Sequence, residues 1–158
     1  MQSLIKLRVQ LNSVKETLDL AAGIGQALKG GEVIELISDL GGGKTTFVRG
    51  LVQGAGSRDP VSSPSFTIRN DYRLATNFQI IHFDFYRLNE PGIIKDMLEE
   101  VLHDRSSVVV IEWPGIIGGV LPTDRLTLTL KVSGIDSRTA TISCPESFAY
   151  LLDKVDTK

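Results

Sequence analysis

The sequence predicts an α/β fold of three layers, in which helices cover a mixed parallel and antiparallel sheet. Three observations support this prediction. An apolar segment at residues 33–37 leads into a glycine cluster and a helical pattern, residues 108–111 are continuously apolar, and later segments alternate in polarity. Continuous apolar strands are typical of parallel sheets covered on both faces, whereas alternating strands suit antiparallel hairpins.

The first elements follow from their side-chain patterns. Residues 5–11 alternate between apolar and polar side chains, which indicates a strand with one face in water. Ser13 and Glu16 have the spacing of a capping box, so we expect a helix to begin there and to end at Gly30 and Gly31. The chain therefore begins with a β–α unit before the glycine cluster is reached.

The remaining predicted elements are a short helix that stops near residues 54–56, a proline-containing loop, two hairpins, a helix, a buried strand and a final helix. From the loop onward they comprise residues 57–65, 66–73 with 78–85, 93–102, 108–111, 125–132 with 138–143, and 146–155. The chain of 158 residues suits one hydrophobic core and shows no internal repeat, so we predict a single domain over residues 1–158.

Composition excludes several classes of function. The formal net charge is −2, with 17 basic and 19 acidic side chains and no dense basic run, which argues against unaided nucleic-acid binding. The single cysteine, Cys144, cannot form an internal disulfide, and two histidines offer no zinc constellation. No apolar run approaches the roughly 18 residues of a membrane span. We therefore expect a protein that is neither secreted nor embedded in a membrane, which agrees with a reducing cytosol.

The glycine cluster predicts a phosphate-binding loop. Gly41, Gly42 and Gly43 allow backbone N–H groups to face phosphate oxygens, and the helix that follows directs its positive end to the same place. Lys44 would reach the β- and γ-phosphates, while the Thr45 hydroxyl would ligate Mg²⁺. The alternative, a glycine-rich turn that binds nothing, is disfavoured by the strand before the cluster and the Lys-Thr pair after it.

The match to the pattern G-x-x-x-x-G-K-[ST] departs at its first position, which is Ser38. A serine there is unfavourable only where the backbone requires a positive φ.

Two acidic residues at strand ends are candidates for the metal and the water. Glu112 follows the buried strand and would emerge at its carboxyl end, where it could hold Mg²⁺ or its water. Alternation places His82, Asp84 and Tyr86 on one face of their strand, so Asp84 could orient water or metal. A surface position for Glu112 and a structural hydrogen bond for Asp84 remain alternatives. His82 is interpreted as a packed or hydrogen-bonded histidine, and Thr67 as a phosphate contact or a strand residue.

Four segments together resemble one family. Residues 39–46, 63–67, 82–87 and 111–114 are similar, in order and spacing, to the TsaE family, also called YjeE, the P-loop ATPase subunit of bacterial tRNA threonylcarbamoyladenosine (t6A) biosynthesis. The resemblance implies a P-loop NTPase-like core and a single P-loop ATPase domain that binds ATP or ADP with Mg²⁺ and hydrolyses ATP slowly. It also implies a cytoplasmic protein that acts on TsaB-like and TsaD-like partners and meets tRNA only through that complex.

The same resemblance implies roles for individual residues. Thr45 and Glu112 would ligate Mg²⁺, Asp84 would assist hydrolysis with Glu112 and Lys44, and Arg138 matches a family arginine near the nucleotide base. The residues implied in nucleotide binding are Gly41, Gly42, Gly43, Lys44, Thr45, Thr46 and Arg138.

Two departures from the family keep other functions open. The family usually has glycine where this chain has Ser38, and an acid where it has Gly115. A non-catalytic nucleotide-binding scaffold would follow if Ser38 marks a loss of hydrolysis. A small-molecule P-loop kinase shares the same loop but needs an acceptor pocket and usually an arginine-rich lid. Guanine selection through an Asn-Lys-x-Asp segment is not available, because that segment does not occur.

Overall fold

The computed structural model of the chain describes residues 3–39, 41–64 and 67–156, with the backbone alone at residue 116. Its seven strands form one sheet in the order β1-β7-β6-β2-β5-β4-β3. The strands are β1 Leu4–Leu11, β2 Val33–Ile37, β3 Arg69–Arg73, β4 Gln79–Asp84, β5 Ser107–Glu112, β6 Leu126–Val132 and β7 Arg138–Pro145.

The sheet is mixed, as the sequence predicts. Strand β2 lies between β5 and β6 and is parallel to both, and β4 is parallel to β5. The pairs β3–β4, β6–β7 and β1–β7 are antiparallel. All six residues of β5 are buried, which confirms the interpretation of its continuous apolar run as a strand covered on both faces.

Among the described residues, three α-helices and two short 3₁₀ helices complete the fold. They are α1 Val14–Ala27, α2 Lys44–Gly54, α3 Gly92–Leu102, and 3₁₀ helices at Gly115–Val120 and Glu146–Leu152. One hydrophobic cluster joins α1 and α2 to the sheet, and a second joins α3 to β4 and β5. Helices therefore lie on both faces of the parallel strands, which confirms the three-layer α/β class.

Several predicted boundaries are wrong. Helix α1 begins as expected, with the Ser13 Oγ accepting from the Glu16 N–H at 3.1 Å, but it ends at Ala27 instead of Gly30. Strand β3 begins at Arg69, because the chain turns at Ile68 with a φ of 69°, and part of the predicted strand 66–73 lies outside the described residues. Strand β4 is likewise shorter than the predicted 78–85.

The last predicted helix, 146–155, is a shorter 3₁₀ helix, and the 3₁₀ helix at Gly115–Val120 was not predicted. Contacts with distant residues hold the last helix, since the Tyr150 hydroxyl donates to buried Glu32 at 2.8 Å. Such contacts leave no periodic pattern in the sequence.

No helix within the described ranges combines the length and apolar character needed to cross a bilayer.

Cys144 is buried, and burial raises the pKa of its thiol to about 11, so the thiol stays protonated and unreactive at neutral pH.

Glycines bring α1 and α2 into backbone contact. A Cβ atom on Gly50 would lie 2.6 Å from the Leu18 carbonyl oxygen and 2.8 Å from the Ala21 Cβ, and a Cβ on Gly25 would meet the Leu51 carbonyl oxygen. Because α2 starts at Lys44, this contact fixes the helix that follows the glycine loop.

We expect Gly50→Ala to destabilise the protein, although alanine is the better helix former by roughly 0.5–1 kcal/mol. The added methyl group has no space, so the free energy of unfolding should fall by about 1–3 kcal/mol in urea titrations. Gly119→Ala is the control, because no atom lies within 4 Å of its added Cβ. Equal stability of the two variants would contradict the close approach of α1 and α2.

Candidate nucleotide-binding site

The candidate site lies where β2, β4 and β5 end side by side. The glycine loop follows β2, and Asp84 and Glu112 are partners in the parallel register of β4 and β5. They surround a cavity of about 360 Å³, which falls within the roughly 300–1,000 Å³ typical of small-molecule sites. The lining residues are Gly41, Gly42, Gly43, Lys44, Thr45, Thr46, Ser63, Asp84, Glu112 and Trp113.

The glycine loop has the backbone geometry that only glycine adopts easily. Gly41 has a φ of 75° and Gly43 a φ of 101°, both in the left-handed region. Gly43 is the N-terminal cap of α2, so Lys44, Thr45 and Thr46 form the first helical turn and line the cavity. The unpaired N–H groups of a first helical turn attract anions, which suits a phosphate group.

Lys44 is held inside the site by neutral acceptors. Its side chain is buried, and its Nζ donates to the Ser38 carbonyl oxygen at 3.1 Å, the Ser38 Oγ at 3.3 Å and the Asp39 carbonyl oxygen at 3.4 Å. Burial lowers the pKa of Lys44, while the charges of Glu112 and Asp84 act in the opposite direction. A phosphate oxygen would be a stronger partner than these acceptors, because hydrogen bonds between ionised groups are stronger than those to neutral ones.

The structure answers the question that Ser38 raises. Among the described non-glycine residues, positive φ values occur at Ile68 and Trp113, so Ser38 has an ordinary backbone conformation. Its Oγ donates to the Asp39 carbonyl oxygen at 2.8 Å and accepts from Lys44. Serine therefore fits this position without backbone strain.

Both predicted acids are buried at the strand ends. Glu112 is 2% exposed, which excludes the alternative of a plain surface acid, and its Oε2 lies 2.8 Å from the His82 Nε2. Asp84 is 5% exposed, and its Oδ1 accepts from the Tyr86 N–H at 2.9 Å. The Phe85 N–H donates to the Glu112 carbonyl oxygen at 3.0 Å, which joins the ends of β4 and β5.

The predicted alternation of β4 is present up to the end of the strand. His82 and Asp84 share one face. Phe83 lies on the other face, in the hydrophobic cluster that joins α3 to β4 and β5, and stacks on Phe85 with ring centroids 5.3 Å apart. Tyr86 does not continue the alternation, because β4 ends at Asp84. Its ring is half exposed and lies against Trp113, with centroids 5.2 Å apart.

Arg138 reaches the glycine loop from the β6–β7 hairpin. Its Nε donates to the Gly42 carbonyl oxygen at 3.0 Å, and its Nη1 donates to the Ser137 and Gly134 carbonyl oxygens at 2.8 and 3.2 Å. The structure thus brings Arg138 to the backbone of the loop but not into the cavity lining. Its contact with a nucleotide base stays a prediction.

Two residues that line the cavity were not predicted as site residues, and Thr67, which was a candidate phosphate contact, does not line it. Ser63 comes from the proline-containing loop predicted at residues 57–65. Trp113 lies under the Lys44 ammonium, which is 4.6 Å from the ring centroid. The Thr67 hydroxyl instead donates to the Asn70 Oδ1 at 3.1 Å, in a turn before β3.

The polar and charged groups around the cavity suit a nucleotide phosphate with Mg²⁺. The Thr45 hydroxyl and the carboxylates of Asp84 and Glu112 are hard oxygen ligands of the kind that Mg²⁺ prefers. The Lys44 ammonium and the first turn of α2 supply positive charge for the phosphate groups.

Comparison with known proteins identifies several similar chains. The family model described as threonylcarbamoyl adenosine biosynthesis protein TsaE matches residues 11–140. A tRNA threonylcarbamoyladenosine biosynthesis protein TsaE from Rickettsia felis is 34% identical over 145 residues, which cover 90% of this chain and 83% of the relative. The protein of the same name from Bacillus subtilis is 35% identical over 130 residues, with 82% and 80% covered. The residues that the family model matches include every predicted site residue.

A solved structure is similar over nearly the whole chain. The crystal structure of Bacillus subtilis YdiB superposes with a TM-score of 0.77 at 28% sequence identity, covering 98% of this chain and 97% of that one. This similarity agrees with the mixed seven-stranded sheet described above.

The Ser38 side chain fills most of the space that a side chain at position 42 would need. A Cβ on Gly42 would meet the Ser38 Oγ, and it would lie 2.7 Å from the Ser38 Cβ and 2.9 Å from the Asp39 carbonyl oxygen. We expect Gly42→Ala to lower the free energy of unfolding by about 1–3 kcal/mol. In the Ser38→Gly background the same substitution should have a smaller effect, with a coupling energy of about 0.5–3 kcal/mol in a double-mutant cycle. Additive effects would contradict the predicted steric exclusion.

Proposed function

This chain belongs to the TsaE family of threonylcarbamoyladenosine biosynthesis proteins, and we propose that it binds ATP with Mg²⁺ at the glycine loop and hydrolyses it slowly. The hydrolysis would serve t6A modification of tRNA by acting on a complex of TsaB-like and TsaD-like proteins, through which alone the chain meets tRNA. A cytoplasmic location accompanies this role. The single observation that carries the proposal is the convergence of Lys44, Thr45, Asp84 and Glu112 on one cavity.

Phosphate binding follows from the loop and the helix. The N–H groups of the loop and of the first turn of α2 would bind the phosphate oxygens. Lys44 would exchange its neutral partners on Ser38 and Asp39 for the β- and γ-phosphates, a short movement because its ammonium already lies in the site.

Thr45 and Glu112 are the residues proposed to hold Mg²⁺, with the Thr45 hydroxyl in the position that P-loop proteins use for this purpose. When bound, the ion would neutralise charge that develops on the phosphates during transfer. Asp84 would orient the attacking water, and its hydrogen bond from the Tyr86 N–H holds that carboxylate in one orientation.

The proposed dependence on partners follows from the charge in the site. Lys44 is the one cation among the described residues that line the cavity. In related ATPases and GTPases a partner that contributes another positive group accelerates slow hydrolysis by several orders of magnitude. We therefore propose that binding to the TsaB-like and TsaD-like partners stimulates this chain.

Two other functions remain candidates for the same site. A non-catalytic scaffold is favoured by the Ser38 hydroxyl, which adds an acceptor for Lys44 that glycine would lack. A small-molecule kinase needs an acceptor pocket beside the phosphates. A larger cavity of about 630 Å³ lies between α3 and the 3₁₀ helix Gly115–Val120, but it shares no lining residue with the candidate site.

We expect Mg²⁺-dependent phosphate release from ATP that rises when matched TsaB and TsaD are added. Lys44→Ala and Glu112→Ala should each reduce the stimulated rate on the order of 100-fold, because they remove phosphate charge neutralisation and a metal ligand. Lys15→Ala is the matched control, since Lys15 is exposed on α1 and pairs with Asp19.

The other outcomes separate the alternatives. Binding of ATP without phosphate release under any combination of partners would favour the scaffold. Transfer of the γ-phosphate to an added metabolite would favour the kinase. A purified chain that binds no adenine nucleotide in the presence of Mg²⁺ would contradict all three.

A further inference from the structure

We propose that His82 is a positioning residue for Glu112: its Nε2 donates to the Glu112 Oε2, which leaves Oε1 as the oxygen that ligates the metal. The geometric part of this inference stands on the structure alone. The part that concerns the metal rests on the proposed function, because it assumes that Glu112 holds Mg²⁺.

The pair is buried and directly bonded. His82 lies within β4, opposite Val110 in the register with β5, and its side chain is 0% exposed. The Glu112 side chain is 3% exposed, and the two atoms Nε2 and Oε2 are 2.8 Å apart. Hydrogen bonds are stronger and more directional in such low-dielectric surroundings than in water. The contact therefore fixes the rotation of the Glu112 carboxylate.

The other ring nitrogen shows that packing alone does not account for a histidine here. The Nδ1 of His82 is buried and has no hydrogen-bond partner among the described residues. An ionised carboxylate can only accept, so the bond to Glu112 requires a hydrogen on Nε2, and in the neutral imidazole this leaves Nδ1 as a bare acceptor. Burying that bare acceptor carries a desolvation penalty that an apolar side chain would avoid. What the imidazole provides in return is the hydrogen bond to Glu112.

His82 also keeps Glu112 apart from Lys44. Among the nearby charges that act on the pKa of Lys44, Glu112 has the largest effect, so the two groups lie close enough to attract each other. Within the described part of the chain, Glu112 nevertheless pairs with His82, and Lys44 bonds to Ser38 and Asp39. The His82 bond thus leaves the Lys44 ammonium for phosphate and the Glu112 carboxylate for the metal.

Hydrogen-bond partners of metal ligands are commonly needed for the geometry of the site. A ligating carboxylate is itself hydrogen-bonded, and loss of that partner typically reduces metal affinity or activity by about 10–100-fold. Without His82, Glu112 would be a buried charge free to turn toward Lys44, and both groups would be lost to the nucleotide.

Two amide substitutions separate a positioning role of His82 from a packing role, because each places an N–H group near a different ring nitrogen. His82→Gln places an amide N–H near the position of Nε2, whereas His82→Asn places one near Nδ1, too far from Glu112. We expect His82→Asn to raise the Mg²⁺ concentration for half-maximal binding of a fluorescent ATP analogue by about 10–100-fold, because the Glu112 carboxylate is no longer held in one orientation. His82→Gln should stay within about threefold of the unsubstituted protein.

A second measurement needs no nucleotide and no substitution at His82. The chain has two histidines, so His103→Gln assigns the ring signals in ¹⁵N-resolved NMR spectra. We expect His82 to be the tautomer with hydrogen on Nε2, and Glu112→Ala to shift that signal. Two results would overturn the inference even if both amide variants failed to fold. One is hydrogen on Nδ1 in place of Nε2, and the other is a His82 signal that does not shift in Glu112→Ala.

The two proposals can fail separately. If the unsubstituted protein binds no nucleotide with Mg²⁺, the proposed function fails and takes the metal part of this inference with it. If that protein binds normally and the two amide variants behave alike, the positioning role of His82 fails while the proposed function stands.

Discussion

The register between β4 and β5 is the constraint on which the candidate site depends. With Asp84 opposite Glu112, both acids end at the same edge of the sheet and His82 comes within hydrogen-bonding distance of Glu112. If β4 shifted by one residue against β5, Phe83 would point toward the cavity, because side chains alternate along a strand. Asp84 and Glu112 would then lie on opposite faces of the sheet. The stacked pair Phe83 and Phe85 therefore stabilises the site from the opposite face of the sheet.

The glycine loop is held from three directions. The close approach of α1 and α2 fixes the helix that follows it. Strands β5 and β6 fix β2, the strand that precedes it, and Arg138 holds the Gly42 carbonyl oxygen from the β6–β7 hairpin. A loop with two left-handed glycines would otherwise lose much of its order, since glycine has the largest conformational freedom in the unfolded chain. Rigid supports of this kind are what a preorganised phosphate site requires.

Much of this could be predicted from local patterns, and the rest could not for identifiable reasons. The apolar run before Glu112 predicted a buried strand with an acid at its end, and the resemblance to the TsaE family is confirmed. The contact of His82 with Glu112 joins residues 30 positions apart, so it depends on sheet order, which periodicity does not encode. Ser38 departs from the first glycine of the phosphate-loop pattern, but its backbone conformation does not require glycine. The sequence shows which residue occupies a turn but not the backbone angle that it adopts.

Trp113 gives the site an optical property of its own. It is the single tryptophan of the chain, it has a φ of 53°, and its ring lies 4.6 Å from the ammonium of Lys44. A charge at that distance from an indole changes the energy of its excited state, so any displacement of the ammonium alters the intrinsic emission of the protein. When it is excited at wavelengths that its three tyrosines do not absorb, this chain therefore emits from one side chain at one place, without a dye or label.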